Sequence, residues 1–248
     1  MKLSTHKTIR VGLWASVVVL FACCVPVSAE TVSVAIIDSG AVGYVDSAVS
    51  FTSYAADRDP LNHGTQIAKL VRQEFPSAKI YMLQVCEYDN GTLAPSPAAI
   101  LKAIQWCARN NIAVVNMSIV IKYDQEIDRA ISEASSRQGI LFVAAGGNKS
   151  LASGFAVGQD GYICRVGKSS MPAFPASNRE VISVGAVDPY GYAKKYSEKV
   201  CDVYDDGKIR GQEGTSFACA RVAGKVAKIL NEHGRQMKKM EIVASLVE

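Results

Sequence analysis

Residues 112–145 read "IAVVNMSIVIKYDQEIDRAISEASSRQGILFVAA". The stretch opens with a short apolar run, 112–119, rich in β-branched residues. That composition predicts a strand covered on both faces. Over 124–139 apolar residues return at helical spacing among charges and serines, and Gly139 closes the pattern as a helix stop. A second apolar run, 140–145, predicts another strand. Strand, helix and strand in about thirty residues form the crossover unit that joins parallel strands.

The same alternation extends in both directions. Upstream, 31–37 and 78–85 read as strands. Residues 65–75 read as a helix, as do 97–111, with Pro97 at the start and Asn110-Asn111 at the stop. Downstream, 181–187 is a strand, 215–234 a long helix ended by Gly234, and the last dozen residues a short helix. The stretch 146–180, rich in Gly, Ser and Pro, predicts irregular surface loop with room for a short hairpin. The expected fold class is α/β: a doubly wound, mostly parallel sheet with helices on both faces. Residues 30–248 read as a single domain, with no repeat, linker or low-complexity tract.

The first 29 residues stand apart. Lys2, Lys7 and Arg10 precede a short apolar run, Val11 to Ala22, and Val27-Ser28-Ala29 has the small-residue pattern of a cleavage site. This is a secretory signal, too short for a membrane span, and it predicts a secreted or periplasmic protein. A lipoprotein box ending at Cys23 is the alternative. Without the leader's three basic residues, 24 Lys+Arg face 23 Asp+Glu. A near-neutral chain gives no footprint for nucleic acid, and none for a membrane once the signal is cleaved.

Five cysteines follow the leader: Cys86, Cys107, Cys164, Cys201 and Cys219. An exported chain can form disulfides, and the first four allow two bridges in three pairings. Cys219 reads as a small buried hydrophobe. There is no C-x-x-C, and only His63 and His233 follow the leader, so no zinc cluster is expected.

In doubly wound sheets, sites form at the C-terminal ends of strands. Polar residues stand there: Asp38 in "DSG", His63 in "NHGT", Asn116 in "VVNMS", Asn148 after "FVAAGG" and Ser216 in "GTS". Each has a plain reading alone. Ser216 is a helix cap, Asp38 a turn residue, His63 a structural histidine and Asn148 a turn residue after Gly147. Together, the blocks "IIDSG", "NHGTQIA", "VVNMSI", "FVAAGGN" and "GTSFACARVAG" resemble, in order, the motif blocks of the subtilisin-like serine proteases, the subtilases. "FPASNREVISVGAVD" (174–188) and the C-terminal helix are similar to that family too. The likeness covers about residues 31–248.

The resemblance implies a serine endopeptidase. A serine hydroxyl needs an adjacent base to become a nucleophile. Histidine suits that task near neutral pH, and an aspartate fixes its tautomer and stabilises its cation. By match, Asp38 orients, His63 is the base and Ser216 the nucleophile. Asn148 and the backbone N–H of Ser216 supply the oxyanion hole. Ser118, Ile119, Val120, Ala145 and Gly146 fall in the blocks that line the substrate groove. The implied partner is a peptide or protein substrate, and no cofactor is implied.

The sequence departs from the family at several places. Ala220 stands where the family has proline, which favours a regular helix and raises transfer of the acyl group to amines as a competing outcome. "SIVI" (118–121) replaces "SLGG", so Val120 and Ile121 predict a shallow P1 pocket for small residues. Gln66 and Asn62 replace a histidine and a glycine beside the base. No propeptide separates the leader from the first strand, so the chain is expected to fold unaided or with a separate chaperone or inhibitor chain. The family often holds structural calcium, but Asp202, Asp205 and Asp206 in "CDVYDDG" read better as a solvated loop. Two rival readings remain: a catalytically weak or inactive subtilase-like module that binds peptides, and a nucleotide-binding protein, whose Gly-x-Gly-x-x-Gly turn "DSGAVGY" lacks.

Overall fold

In the computed structural model, which describes residues 31–89, 91–148, 154–157, 163–166, 171–198 and 200–247, strand β1 (Ser33–Asp38) is buried along its whole length. Its residues alternate between two cores. Val34 and Ile36 join one cluster, Ala35 and Ile37 the other. This is the period of two of a strand with helices on both faces.

The chain continues through β2 (Ser47–Ser50), α1 (His63–Glu74), β3 (Lys79–Gln84), β4 (Cys86–Asp89), β5 (Thr92–Pro95), α2 (Pro97–Arg109) and β6 (Val114–Met117). It then forms α3 (Gln125–Gln138), β7 (Leu141–Ala145), β8 (Gly154–Val157), β9 (Ile163–Val166), β10 (Val181–Val187) and β11 (Val203–Asp206). Two short strands, β12 (Lys208–Ile209) and β13 (Gln212–Glu213), precede α4 (Thr215–His233) and α5 (Lys239–Val247).

The main sheet has seven strands in the order β11-β10-β7-β6-β1-β3-β2, and every neighbouring pair is parallel. Helices α1, α4 and α5 cover the face carrying Val34 and Ile36, and α2 and α3 cover the other. The fold is the doubly wound α/β architecture that the alternation predicts. From β1 the chain winds outward in two directions. The crevice at such a switch, beyond the C-terminal strand ends, is where these folds place their sites.

The helix boundaries have local causes. Asp124 caps α3 by accepting from the N–H groups of Glu126 and Ile127, at 2.9 and 3.0 Å. Gly139 ends the same helix in the left-handed region, φ 69°. Helix α4 starts differently: its N-cap is Gly214, which has no side chain to cap it. Ser216 is therefore the second helical residue and not the cap.

The elements the pattern does not reveal are short or polar. β2 is half-exposed "SAVS", β11 is "VYDD", and β4–β5 and β12–β13 are small hairpins. The hairpin β8–β9, by contrast, falls within the stretch 146–180, where the sequence left room for a short hairpin. The leader expected over residues 1–29 lies outside the described residues, among which no helix is long and apolar enough to cross a membrane. Cys107 is a free, fully buried thiol, so a two-disulfide set from Cys86, Cys107, Cys164 and Cys201 does not form. The side chain of Cys164 lies outside the described residues.

Candidate active site

Asp38 is two residues beyond Ile36, so strand parity turns it toward the α1 and α4 face. There it meets His63, the first residue of α1. His63 Nδ1 lies 2.9 Å from Asp38 Oδ1 and 3.0 Å from Oδ2. Both residues are buried. A carboxylate can only accept, so Nδ1 carries the proton and neutral His63 keeps Nε2 as the basic nitrogen.

The pair is braced from several sides. The Ser39 N–H donates to Asp38 Oδ1 at 2.8 Å. The Ser39 hydroxyl lies 3.1 Å from the same oxygen and 2.7 Å from Asp59 Oδ1. Asp59 in turn accepts from the Thr65 N–H at 2.7 Å, which ties this cluster to the first turn of α1. Asn62 enters the helix in the left-handed region, φ 53°. Gly64 allows the close approach: a Cβ there would stand 2.1 Å from the Gly40 carbonyl oxygen. The ring of Phe217, on α4, packs beside His63 at 6.1 Å between centroids.

Ser216 reaches the same crevice from α4. Its hydroxyl donates to the Ser118 carbonyl at 3.1 Å, and the Ser118 hydroxyl donates to the Ser216 carbonyl at 2.9 Å. As the second residue of a helix, Ser216 presents a backbone N–H with no intrahelical acceptor, at the positive end of the helix dipole. Asn148 sits beside this helix start. Its Oδ1 accepts from the Thr215 N–H at 2.9 Å and the Thr215 hydroxyl at 3.0 Å. These donors fix the amide, so Nδ2 is the group turned toward Gly214, 3.3 Å from where a Cβ would stand.

Of the residues matched to the groove, Ile119 turns into the core, and so does Ile121, which therefore adds no bulk to a P1 wall. Val120 is the residue of that segment that faces Gly147: its Cγ2 lies 3.9 Å from the Cβ position of that glycine. Ala145 is buried. Gly146 has both backbone groups engaged inside the protein, N–H to the Val184 carbonyl and C=O from the Ala173 N–H, each at 2.8 Å. A side chain at Gly146 would meet Cys201 Sγ at 2.7 Å.

Ala220 is fully buried in regular helix. In an α-helix its N–H has the Ser216 carbonyl as acceptor, a bond that a proline would delete. The three aspartates of 201–207 point to separate partners: Asp202 to Ser183 and Lys239, Asp205 to Lys225, and Asp206 toward Arg221. Among the described residues no three acidic, histidine or cysteine groups gather as a metal site.

Sequence reasoning misses the supporting residues Ser39, Asp59, Thr215 and Phe217, and gives no role to Asn116. All except Asp59 lie within or beside the quoted motif blocks. Their partners, however, come from distant segments.

The chain is similar to known proteins. The profile of the subtilase family matches residues 29–248. Subtilisin DY of Bacillus licheniformis is 28% identical over 82% of this chain and 77% of its own length. Subtilisin E of Bacillus subtilis strain 168 is 25% identical over 82% of this chain, which spans 56% of that relative. Among solved structures, a cold adapted subtilisin-like serine proteinase superposes with a TM-score of 0.66 at 20% identity, over 87% of this chain and 81% of its own.

Proposed function

This chain belongs to the subtilase family, and we propose that it acts as an exported serine endopeptidase that cleaves peptide bonds through an acyl-enzyme on Ser216. The observation that carries this reading is the buried Asp38–His63 contact, with Nδ1 within 3.0 Å of both carboxylate oxygens. That contact leaves Nε2 to take the Ser216 proton as Oγ attacks the carbonyl carbon. The imidazolium then gives the proton to the leaving amine, and water activated by His63 releases the acyl group.

The negative oxygen of the tetrahedral intermediate is held by the Ser216 N–H and Asn148 Nδ2. The Ser216 proton points to the Ser118 carbonyl, so attack requires the hydroxyl to turn toward His63. Such contacts commonly tighten only when substrate binds. Val120 limits the space beside Gly147 and favours small P1 residues. The leader supports export.

A fluorophosphonate probe tests the reading. Labelling of the wild type and not of Ser216→Ala is expected. A folded wild type that never labels would favour the second reading, a peptide-binding module, for which the Ser216–Ser118 hydrogen bond is the motivating observation.

A further inference from the structure

We propose that Cys219 is a positioning residue for Ser216, acting through Asn116 and Ser118; the inference rests on Ser216 being the nucleophile. Cys219 follows Ser216 by three residues on α4, so both side chains lie on the same helix face. That face packs against the sheet, and Cys219 is wholly buried there. Its thiol is not inert filling. Sγ accepts from Asn116 Nδ2 at 3.2 Å and donates to the Val143 carbonyl at 3.4 Å. Asn116 and Val143 are register partners on β6 and β7. The sulfur therefore joins α4 to two adjacent strands.

The chain of contacts continues toward the nucleophile. With Nδ2 on the sulfur, Asn116 presents Oδ1 to the Ser118 hydroxyl, 3.1 Å away. That hydroxyl has one proton to share between Asn116 Oδ1 and, at 2.9 Å, the Ser216 carbonyl, and it also interacts with the Cys219 sulfur. The Ser118 carbonyl accepts the Ser216 hydroxyl. Ser118 thus holds Ser216 by both its backbone and its side chain, and Asn116 decides how Ser118 divides its proton. Asn116 is itself oriented by Cys219.

Burial, with Asp38 adding to it, pushes the Cys219 thiol up to about 12 against the lowering effect of Ser118, Met117 and Asn116. The sulfur therefore stays protonated and keeps its donor bond to Val143 at any working pH. Without the thiol, the Asn116 amide has no acceptor for Nδ2 and no reason to keep Oδ1 on Ser118.

The test compares Cys219→Ala, Cys219→Ser and Ser118→Ala in the full chain, each normalised to folded protein by circular dichroism. Fluorophosphonate labelling rates and peptide kcat and KM are measured. Cys219→Ala is expected to slow labelling and kcat about 10- to 100-fold with KM unchanged, the scale of a small misplacement of reacting groups. Serine supplies the same donor and acceptor, so Cys219→Ser is expected to restore most of the rate. Combined with Ser118→Ala, Cys219→Ala should add little further loss, because both act on one network.

Wild-type labelling by folded Cys219→Ala, or full additivity of the two variants, overturns the inference. If Cys219→Ala does not fold, the same coupling is read from Cys219→Val, which fills the site without a donor or an acceptor, with and without Ser118→Ala; additivity there overturns it as well. A wild type that never labels is a different result, since it overturns the protease reading itself.

Discussion

The two halves of the site are built on different principles. Asp38 and His63 form a closed pair: two buried groups, one carboxylate spanning Nδ1, and Ser39 and Asp59 bracing it from behind. Ser216 and Asn148 are held from outside the pair, Ser216 by Ser118 and Asn148 by Thr215. The first half is preorganised by charge and burial and costs little reorganisation when the reaction begins. The second half is held by neutral hydrogen bonds that a substrate can exchange. In the proposed mechanism, the base is fixed before substrate arrives, whereas the nucleophile is parked.

Breaking the closed half should have the largest effect. Asp38→Asn keeps the shape but presents an amide donor to Nδ1, favouring the wrong tautomer. A loss of about 10⁴-fold in kcat is expected, with circular dichroism unchanged. Steady-state kinetics on a peptide substrate checks it, and a loss under tenfold would mean that the pair does not orient the base.

Next comes the open half. Asn148→Ala removes the side-chain donor to the oxyanion and also strands the Thr215 N–H. The expected fall is about 100- to 1000-fold in kcat with little change in KM, the size seen when one such donor is removed. A rise in KM at constant kcat would instead assign Asn148 to substrate binding.

The groove wall offers a smaller lever. Val120→Gly opens the space facing Gly147. A peptide library should shift toward larger P1 side chains, with kcat/KM for Phe relative to Ala rising about tenfold. An unchanged profile would place the P1 boundary elsewhere.

The smallest effect belongs to Asp202, just before the edge strand β11. Burial raises the Asp202 carboxyl, but the Ser183 N–H and hydroxyl and the Lys239 ammonium outweigh it and hold the group below its ordinary value. A depressed carboxyl contributes stability above its unfolded pKa, and that stability is lost as pH falls through the folded value. Asp202→Asn should therefore lower Tm at pH 7 by about 2–4 °C, since partial exposure screens the pair. The difference should shrink below about pH 4. A constant gap from pH 7 to pH 3 would mean that charge is not the cause.

Legibility in the sequence followed burial. Strands β1, β6, β7 and β10 are apolar on both faces, so their runs stand out, and the helices between them carry clear stops such as Gly139 and Gly234. β2 and β11 lie at the sheet edges, where exposed polar residues are tolerated, and they left no pattern. Asp38, His63, Asn148 and Ser216 were legible as polar residues at strand ends and helix starts. Ser39, Asp59 and Thr215 were not, because nothing local distinguishes a bracing hydroxyl from a solvated one. The bulk expected from Ile121 failed for a similar reason: direction along an irregular segment is set by what it packs against, and Ile121 packs into the core.

The sequence by itself determined the α/β class, the order of the motif blocks and the residue types that can carry acyl transfer. These follow from periodicity and side-chain chemistry, which are local. Only the tertiary structure decided that Asp38 turns toward α1, that Gly214 and not Ser216 caps α4, and that Cys219 stands between β6, β7 and Ser216. Each of those depends on which segments the doubly wound sheet brings together, and contacts across 100 residues, such as Asn116 to Cys219, leave no local trace.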